Sequence, residues 1–160
     1  DVLEAAEEII KYQKIDSEMA HLFRVSVLMH DTGFLEVYAN HEEKGCEYAR
    51  EWLPKLGYSN EQIDVICGMI MATKIPHKPQ NDLERYICDA DLDYLGTENY
   101  ESISESLYKE WLNCGMIENR EQWLERQIGF LKLHTFYSEY SLTKRKSNKM
   151  ELLASLQQHV

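Results

Sequence analysis

The chain has 160 residues, the size of one ordinary domain and long enough to bury a real core. Its formal net charge of -11 argues against general affinity for nucleic acid or anionic membrane surfaces, so a phosphate substrate would need local cations, from metal or from clustered Lys and Arg. The longest apolar runs fall far short of a membrane span, and no secretory signal opens the chain. Four cysteines without a CxxC pair (Cys46, Cys67, Cys88, Cys114) read as buried free thiols in a reducing cytoplasm.

Only 7 Gly and 3 Pro punctuate the sequence and no stretch alternates as a strand would, so the expected fold class is all-α. A first helix covers Asp1 to Gln13, with Val2, Leu3, Ala6, Ile9 and Ile10 on one side. Asp16 or Ser17 caps a second, nearly all-apolar helix that runs to His30, and "DTGFLEVYAN" is then a loop. Asn40 with Glu43 reads as a capping box for a third helix ending near Gly57. Ser59 and Asn60 start a fourth through "EQIDVICGMIMAT", which "KIPHKPQN" breaks with two prolines. A fifth helix starts near Asp82 and stops at Gly96. Two long amphipathic segments follow, "ENYESISESLYKEWLNCGM" and "NREQWLERQIGFLKLHTFYSEY", and a short helix from about Lys149 closes the chain. With no repeat and no linker, residues 1–160 are expected to form a single domain. Because Asp1 is not Met, the chain is expected to be a fragment, a processed product or a protein whose start is missing.

Helical phase sorts the polar residues. In "SVLMHDTGF", His30 and Asp31 stand side by side at the end of an apolar helix, where the negative end of the helix dipole disfavours an anion by about 1 kcal/mol or less. Such a pair needs a compensating positive charge, either a metal ion or a structural salt bridge. In "DLERYICDADLDYLG", Leu83, Ile87, Asp91 and Leu95 recur at spacing four, which places Asp91 on an apolar stripe. Asp89 and Asp93 fall on another face with Arg85, in solvent. His41, Gly45, Ala49, Trp52 and Leu56 make a second stripe, so His41 faces inward beside Glu42, as a packed core histidine or as a ligand. His30, Asp31, His41 and Asp91 thus all come from helix ends expected to face one core.

"LMHDTGF" resembles the His-Asp signature of the HD superfamily of metal-dependent phosphohydrolases, and "ICDADLDYLG" resembles its closing Ala-Asp motif on a late helix. The resemblance runs from the first helix to about Gly96, and "FLKLHTFYSEY" is similar to the C-terminal region of one branch. It implies an HD-domain, phosphodiesterase-like helical bundle in which His30, Asp31 and Asp91 are metal ligands, with His41 a further candidate. The sequence departs from the family pattern twice. The family's first ligand is a His on the opening helix, which Asp1 to Ala20 lacks, and this His is expected just before Asp1. The extra His of dinuclear members is replaced at the end of "GMIMATK" by Ala72 and Thr73; His41 and His77 would supply only part of a second site, and one metal is expected.

The implied chemistry is hydrolysis of a phosphomonoester or phosphodiester, expected to be that of a nucleotide, by water activated on a divalent metal ion. Mixed His and Asp ligation suits Mn, Fe, Co, Ni or Zn, with Mg the poorer match. Asp31 would also orient the attacking water. Lys74 continues the Ile63-Cys67-Ile70 face toward the same end, as a phosphate contact or as a solvated lysine at a helix C-terminus. His134, on the Phe130-Tyr137 stripe, reads as a packed core histidine rather than a substrate contact, and "TKRKSNK" as a solvated charge run or a lure for anions. Two other classes stay open. One is a catalytically degenerate nucleotide-binding regulatory module, fused to or associated with a signalling domain as in similar HD proteins. The other is an iron-dependent oxygenase, which needs more His ligands than are present.

Overall fold

Every regular element among the described residues is helical, as expected. The computed structural model describes residues 2–158; Asp1, where the first helix was expected to start, lies outside them, as do His159 and Val160. The helices are α1 (Val2–Gln13), α2 (Ser17–Met29), α3 (His41–Trp52), α4 (Asn60–Ala72), α5 (Asp82–Asp91), α6 (Tyr100–Asn113), α7 (Arg120–Leu133), α8 (Glu139–Lys144) and α9 (Lys146–Gln157). Short 3-10 turns occupy Thr32–Leu35, Leu53–Leu56 and Asp93–Gly96. None of these helices is long and apolar enough to cross a membrane. The chain divides into two compact units, one through Leu92 and one from Asp93.

In the N-terminal unit α4 packs against α2, α3 and α5, and α1 closes the layer against α2 and α5. This explains why "IDVICGMIMA" is apolar on more than one side: Ile63, Ile66, Met69 and Ile70 are all buried, together with Ile9, Leu22, Phe23 and Ile87 from the neighbouring helices. Each such side chain contributes about 1.5–3 kcal/mol of transfer free energy. The helix starts follow local chemistry. Asp16 accepts hydrogen bonds from the Glu18 and Met19 amides at 3.0 Å each. Ser59 and Gln62 form a reciprocal capping box. Asp16→Ala is expected to cost about 1 kcal/mol, seen as a lower urea midpoint with an unchanged slope.

Several local expectations give way to tertiary contacts. Asn40 is not part of a capping box: its backbone is left-handed (φ 58°), and its side chain makes no capping hydrogen bond. Asn40 Oδ1 instead accepts from Lys74 Nζ at 2.9 Å, and Glu43 pairs with the same ammonium. An ion pair across two helices has displaced the local bond. The expected course of the stripe from His41, Gly45 and Ala49 to Trp52 and Leu56 fails. Leu53, four residues after Ala49, continues the stripe and is buried, while Trp52 at the end of α3 and Leu56 in the 3-10 turn carrying Pro54 are exposed. Gly57, at φ 90°, ends this turn in the left-handed conformation that glycine adopts most readily. Of the cysteines, Cys67 and Cys88 are buried, Cys46 is half-buried, and Cys114 is exposed at the C-cap of α6, against the expectation of four core positions.

In the C-terminal unit α7 stops at Leu133. His134 takes an extended backbone (φ -66°, ψ 136°), so the expected long helix breaks and α8 begins only at Glu139, capped by Ser138. His134 therefore lies off any helical stripe, edge-on to Phe136 at 4.7 Å, and its carbonyl accepts from Lys149 Nζ. The run "TKRKSNK" is not a wholly solvated charge run either. Arg145 donates to Asp93 Oδ1 at 2.9 Å and to the Tyr140 hydroxyl at 2.8 Å, and Lys149 is buried. Trp123, Leu131, Phe136, Tyr140 and Leu153 are buried in this unit, and Trp123 Nε1 donates to Ser104 Oγ at 3.3 Å.

Candidate metal centre

His30 is the C-cap residue of α2. The apolar face that buries Phe23 and Val27 carries it inward until it is only 6 % exposed. Its Nδ1 lies 2.7 Å from the Val27 carbonyl oxygen, which makes that nitrogen the N–H donor and aims Nε2 away from the helix. Nε2 lies 3.3 Å from Asp31 Oδ2 and 3.3 Å from Asp91 Oδ1, yet makes no aligned hydrogen bond with either. Burial opposes a charge on His30. The hydrogen-bonding reach and charge of Asp91, with the charge of Asp31, outweigh burial and raise its pKa to about 9.

Just beyond, the 3-10 turn at Thr32–Leu35 folds back on α3. Thr32 Oγ1 donates to the Met29 carbonyl at 2.7 Å, and the Phe34 amide donates to the Asp31 carbonyl at 3.1 Å, fixing the corner. Phe34 stacks on His41 with ring centroids 3.7 Å apart. His41 Nε2 lies 3.7 Å from Asp31 Oδ1 and 3.4 Å from Glu42 Oε1. His41 therefore joins the same end of the unit, through Asp31 rather than through the buried His30. Glu42 is 6 % exposed and was not singled out from the sequence, because an acid in the first turn of a helix reads as a dipole partner. His77 is drawn to this end as well: burial lowers its pKa, opposed by the charge of Asp91 and by the Thr73 carbonyl.

Asp91 closes α5 and is half-buried rather than in the core position its phase suggested, with its carboxylate oxygen 3.3 Å from His30 Nε2. The companion expectation for Asp89 and Asp93 fails. Asp89 is wholly buried and partnered, and Asp93 is buried against Arg145. Ile87, Cys88 and Ala90 are buried as well as Asp89, so one stripe does not describe the last turn of α5. Beyond Asp91 a 3-10 turn resets the phase. Lys74 stands at the end of α4, where Asn40 and Glu43 hold its ammonium at the start of α3; no contact links it to His30 or Asp91.

Among the described residues, no three His, Cys, Asp or Glu side chains are already gathered into a metal-ligand set. The donor chemistry around His30 nonetheless fits a divalent ion. A buried imidazole nitrogen without an aligned hydrogen bond faces two carboxylate oxygens at 3.3 Å, about the spacing that bonds of about 2.1 Å subtend in four- or six-coordinate sites. One imidazole with two carboxylates suits Mn, Fe, Co, Ni or Zn over Mg. The Val27 carbonyl on Nδ1 is the partner a ligating histidine uses to fix its tautomer. No protein-family model, curated protein or solved structure matches the chain.

Proposed function

We propose that the N-terminal unit is a metal-dependent phosphohydrolase of the HD type, acting on a small phosphorylated substrate of the nucleotide class. The observation that supports this reading is His30 Nε2, buried, without an aligned hydrogen bond, and 3.3 Å from two carboxylates contributed by different helix ends. His30, Asp31 and Asp91 would hold a divalent ion, with His41 beside Asp31. When bound, the ion supplies a Lewis acid that brings the pKa of its water from about 16 toward 7 and polarises a phosphoryl oxygen. Asp31 is the exposed member, with its side chain 58 % accessible, and is the carboxylate placed to orient an attacking water. His41, stacked on Phe34 with Nε2 3.7 Å from Asp31 Oδ1, is available to a leaving-group oxygen. Lys74 reaches a phosphate only by leaving Glu43, so its role is charge compensation at the rim.

The experiment is a panel of aryl phosphates, nucleotides and cyclic nucleotides screened with Mn, Co, Ni, Zn and Mg. Turnover is expected with the transition metals, lost on chelation and restored by metal. A second reading, a nucleotide-binding regulatory module without turnover, is favoured by the lack of any His in α1, where the HD pattern carries its first ligand. It predicts nucleotide binding, no hydrolysis with any metal, and no effect of chelation on stability. Activity confined to iron with dioxygen would instead indicate the oxygenase class.

A further inference from the structure

α3 and α4 come together beside Gly45, and Gly68 of α4 faces α5. A methyl group on Gly45 would stand 3.3 Å from the Met29 carbonyl oxygen and 3.5 Å from Ile70 Cγ2, and one on Gly68 would stand 3.2 Å from Glu84 Oε1. The next residue to Gly45 is Cys46, and the residue before Gly68 is Cys67. Their thiols cross between the helices: Cys46 Sγ donates to the Cys67 carbonyl at 3.5 Å, and Cys67 Sγ lies 3.8 Å from the Cys46 carbonyl oxygen. Both line an open groove of about 410 Å³, bordered by Glu43, Glu47, Arg50 and Met71. Arg50, held by Asp64 at 2.8 Å, brings a guanidinium to the pair.

We propose that Cys46 and Cys67 form a redox-active dithiol that reacts with hydroperoxides entering this groove, Cys67 as the attacking sulfur and Cys46 as the resolving one. The neighbouring Cys46 thiol pulls Cys67 below the usual thiol range, Arg50 acts in the same direction against burial and Asp64, and Cys46 itself is held above that range. The Cys67 thiolate attacks the terminal peroxide oxygen and the O–O bond breaks. The alcohol or water leaves with a proton, and Cys67 becomes a sulfenic acid. The Cys46 sulfur then attacks the Cys67 sulfur, its own proton going to the departing hydroxide, and water is released as the disulfide forms. In total two thiols lose two electrons and two protons, and one hydroperoxide becomes an alcohol and a water. This chemistry uses none of the residues around His30 and stands apart from the metal reading.

Hydrogen peroxide added to the native chain tests this. The expected product is a single intramolecular disulfide linking the Cys46 and Cys67 peptides, reversed by dithiothreitol, with Cys88 still reduced. Cys114→Ser removes the exposed thiol and should leave that product unchanged. In Cys46→Ser, dimedone should trap a sulfenic acid on Cys67; in Cys67→Ser, Cys46 should react about tenfold more slowly than Cys67 does in the wild type. Peroxide consumed only at Cys114, a Cys67 no faster than the buried Cys88, or an equally fast Cys46 in Cys67→Ser would each overturn the proposal. The wild-type linkage map decides the matter even where a variant folds poorly.

Discussion

His30→Ala is expected to bring metal-dependent turnover to background and to remove the bound metal from the folded protein. The reason lies in what His30 alone provides. Its Nε2 lies 3.3 Å from a carboxylate oxygen of both Asp31 and Asp91, and no other described imidazole lies within 3.3 Å of both. Without the imidazole, two carboxylates face one another with no cation between them. The metal-free variant should therefore also lose about 1–3 kcal/mol of stability, the cost of leaving a partly buried charged group unpaired. Asp31→Ala and Asp91→Ala should abolish metal uptake as well, but with smaller losses of stability, because each leaves an imidazole with one carboxylate. Asp89→Asn separates the site from the fold: it should lower stability, since Asp89 is wholly buried, and leave the metal content per folded molecule unchanged. Elemental analysis of each variant after gel filtration gives the answer. A fully loaded His30→Ala protein would sink the metal reading, and a metal loss confined to Asp89→Asn would move the site to the wrong side of α5.

The elements of this chain were legible wherever local chemistry and a single apolar face decide them. Asp16 and Ser59 cap α2 and α4 as their side-chain chemistry requires, and His30 ends α2 because an apolar run gives out there. Counting fours from Leu83 put Asp91 on the buried stripe of α5, yet Asp91 is half-buried and Asp89 is the fully buried acid of that turn. Legibility failed where a residue's partner is remote in sequence or where helix winding changes. Nothing near Asn40 announces that Lys74, more than thirty positions later, takes both its oxygen and Glu43. Nothing in "SEYSLTKRK" shows that Arg145 pairs with Asp93. The 3-10 turns after α3 and α5 each shift the side-chain phase, leaving Leu56 exposed and Asp93 buried. Glu42 was hidden by a third effect: the same acid that favours the first turn of a helix here turns toward His41.

Gly33→Ala is expected to be the most damaging single methyl group in the N-terminal unit. The Cβ it introduces would sit 1.8 Å from the His41 carbonyl oxygen, 2.6 Å from its carbonyl carbon and 2.8 Å from its Cα. All three are backbone atoms, so no rotamer change relieves the clash. The 3-10 turn at Thr32–Leu35 has to lift off the first turn of α3. The conformation of Gly33 itself is not at issue, since its φ is not positive; the requirement is for the missing volume. Lifting the turn separates Phe34 from His41 and withdraws His41 from Asp31, so structure and site fail together. The expected loss is about 3 kcal/mol, with metal affinity falling alongside. Gly129→Ala is the matched control: a methyl there meets nothing within 4 Å, and its place inside α7 makes alanine the better helix former by up to about 1 kcal/mol. The two variants should therefore shift the urea midpoint in opposite directions. A Gly33→Ala protein that unfolds at the wild-type midpoint and keeps its metal would mean that the turn does not pack on His41 as closely as described, and the coupling of Phe34, His41 and Asp31 would fall with it.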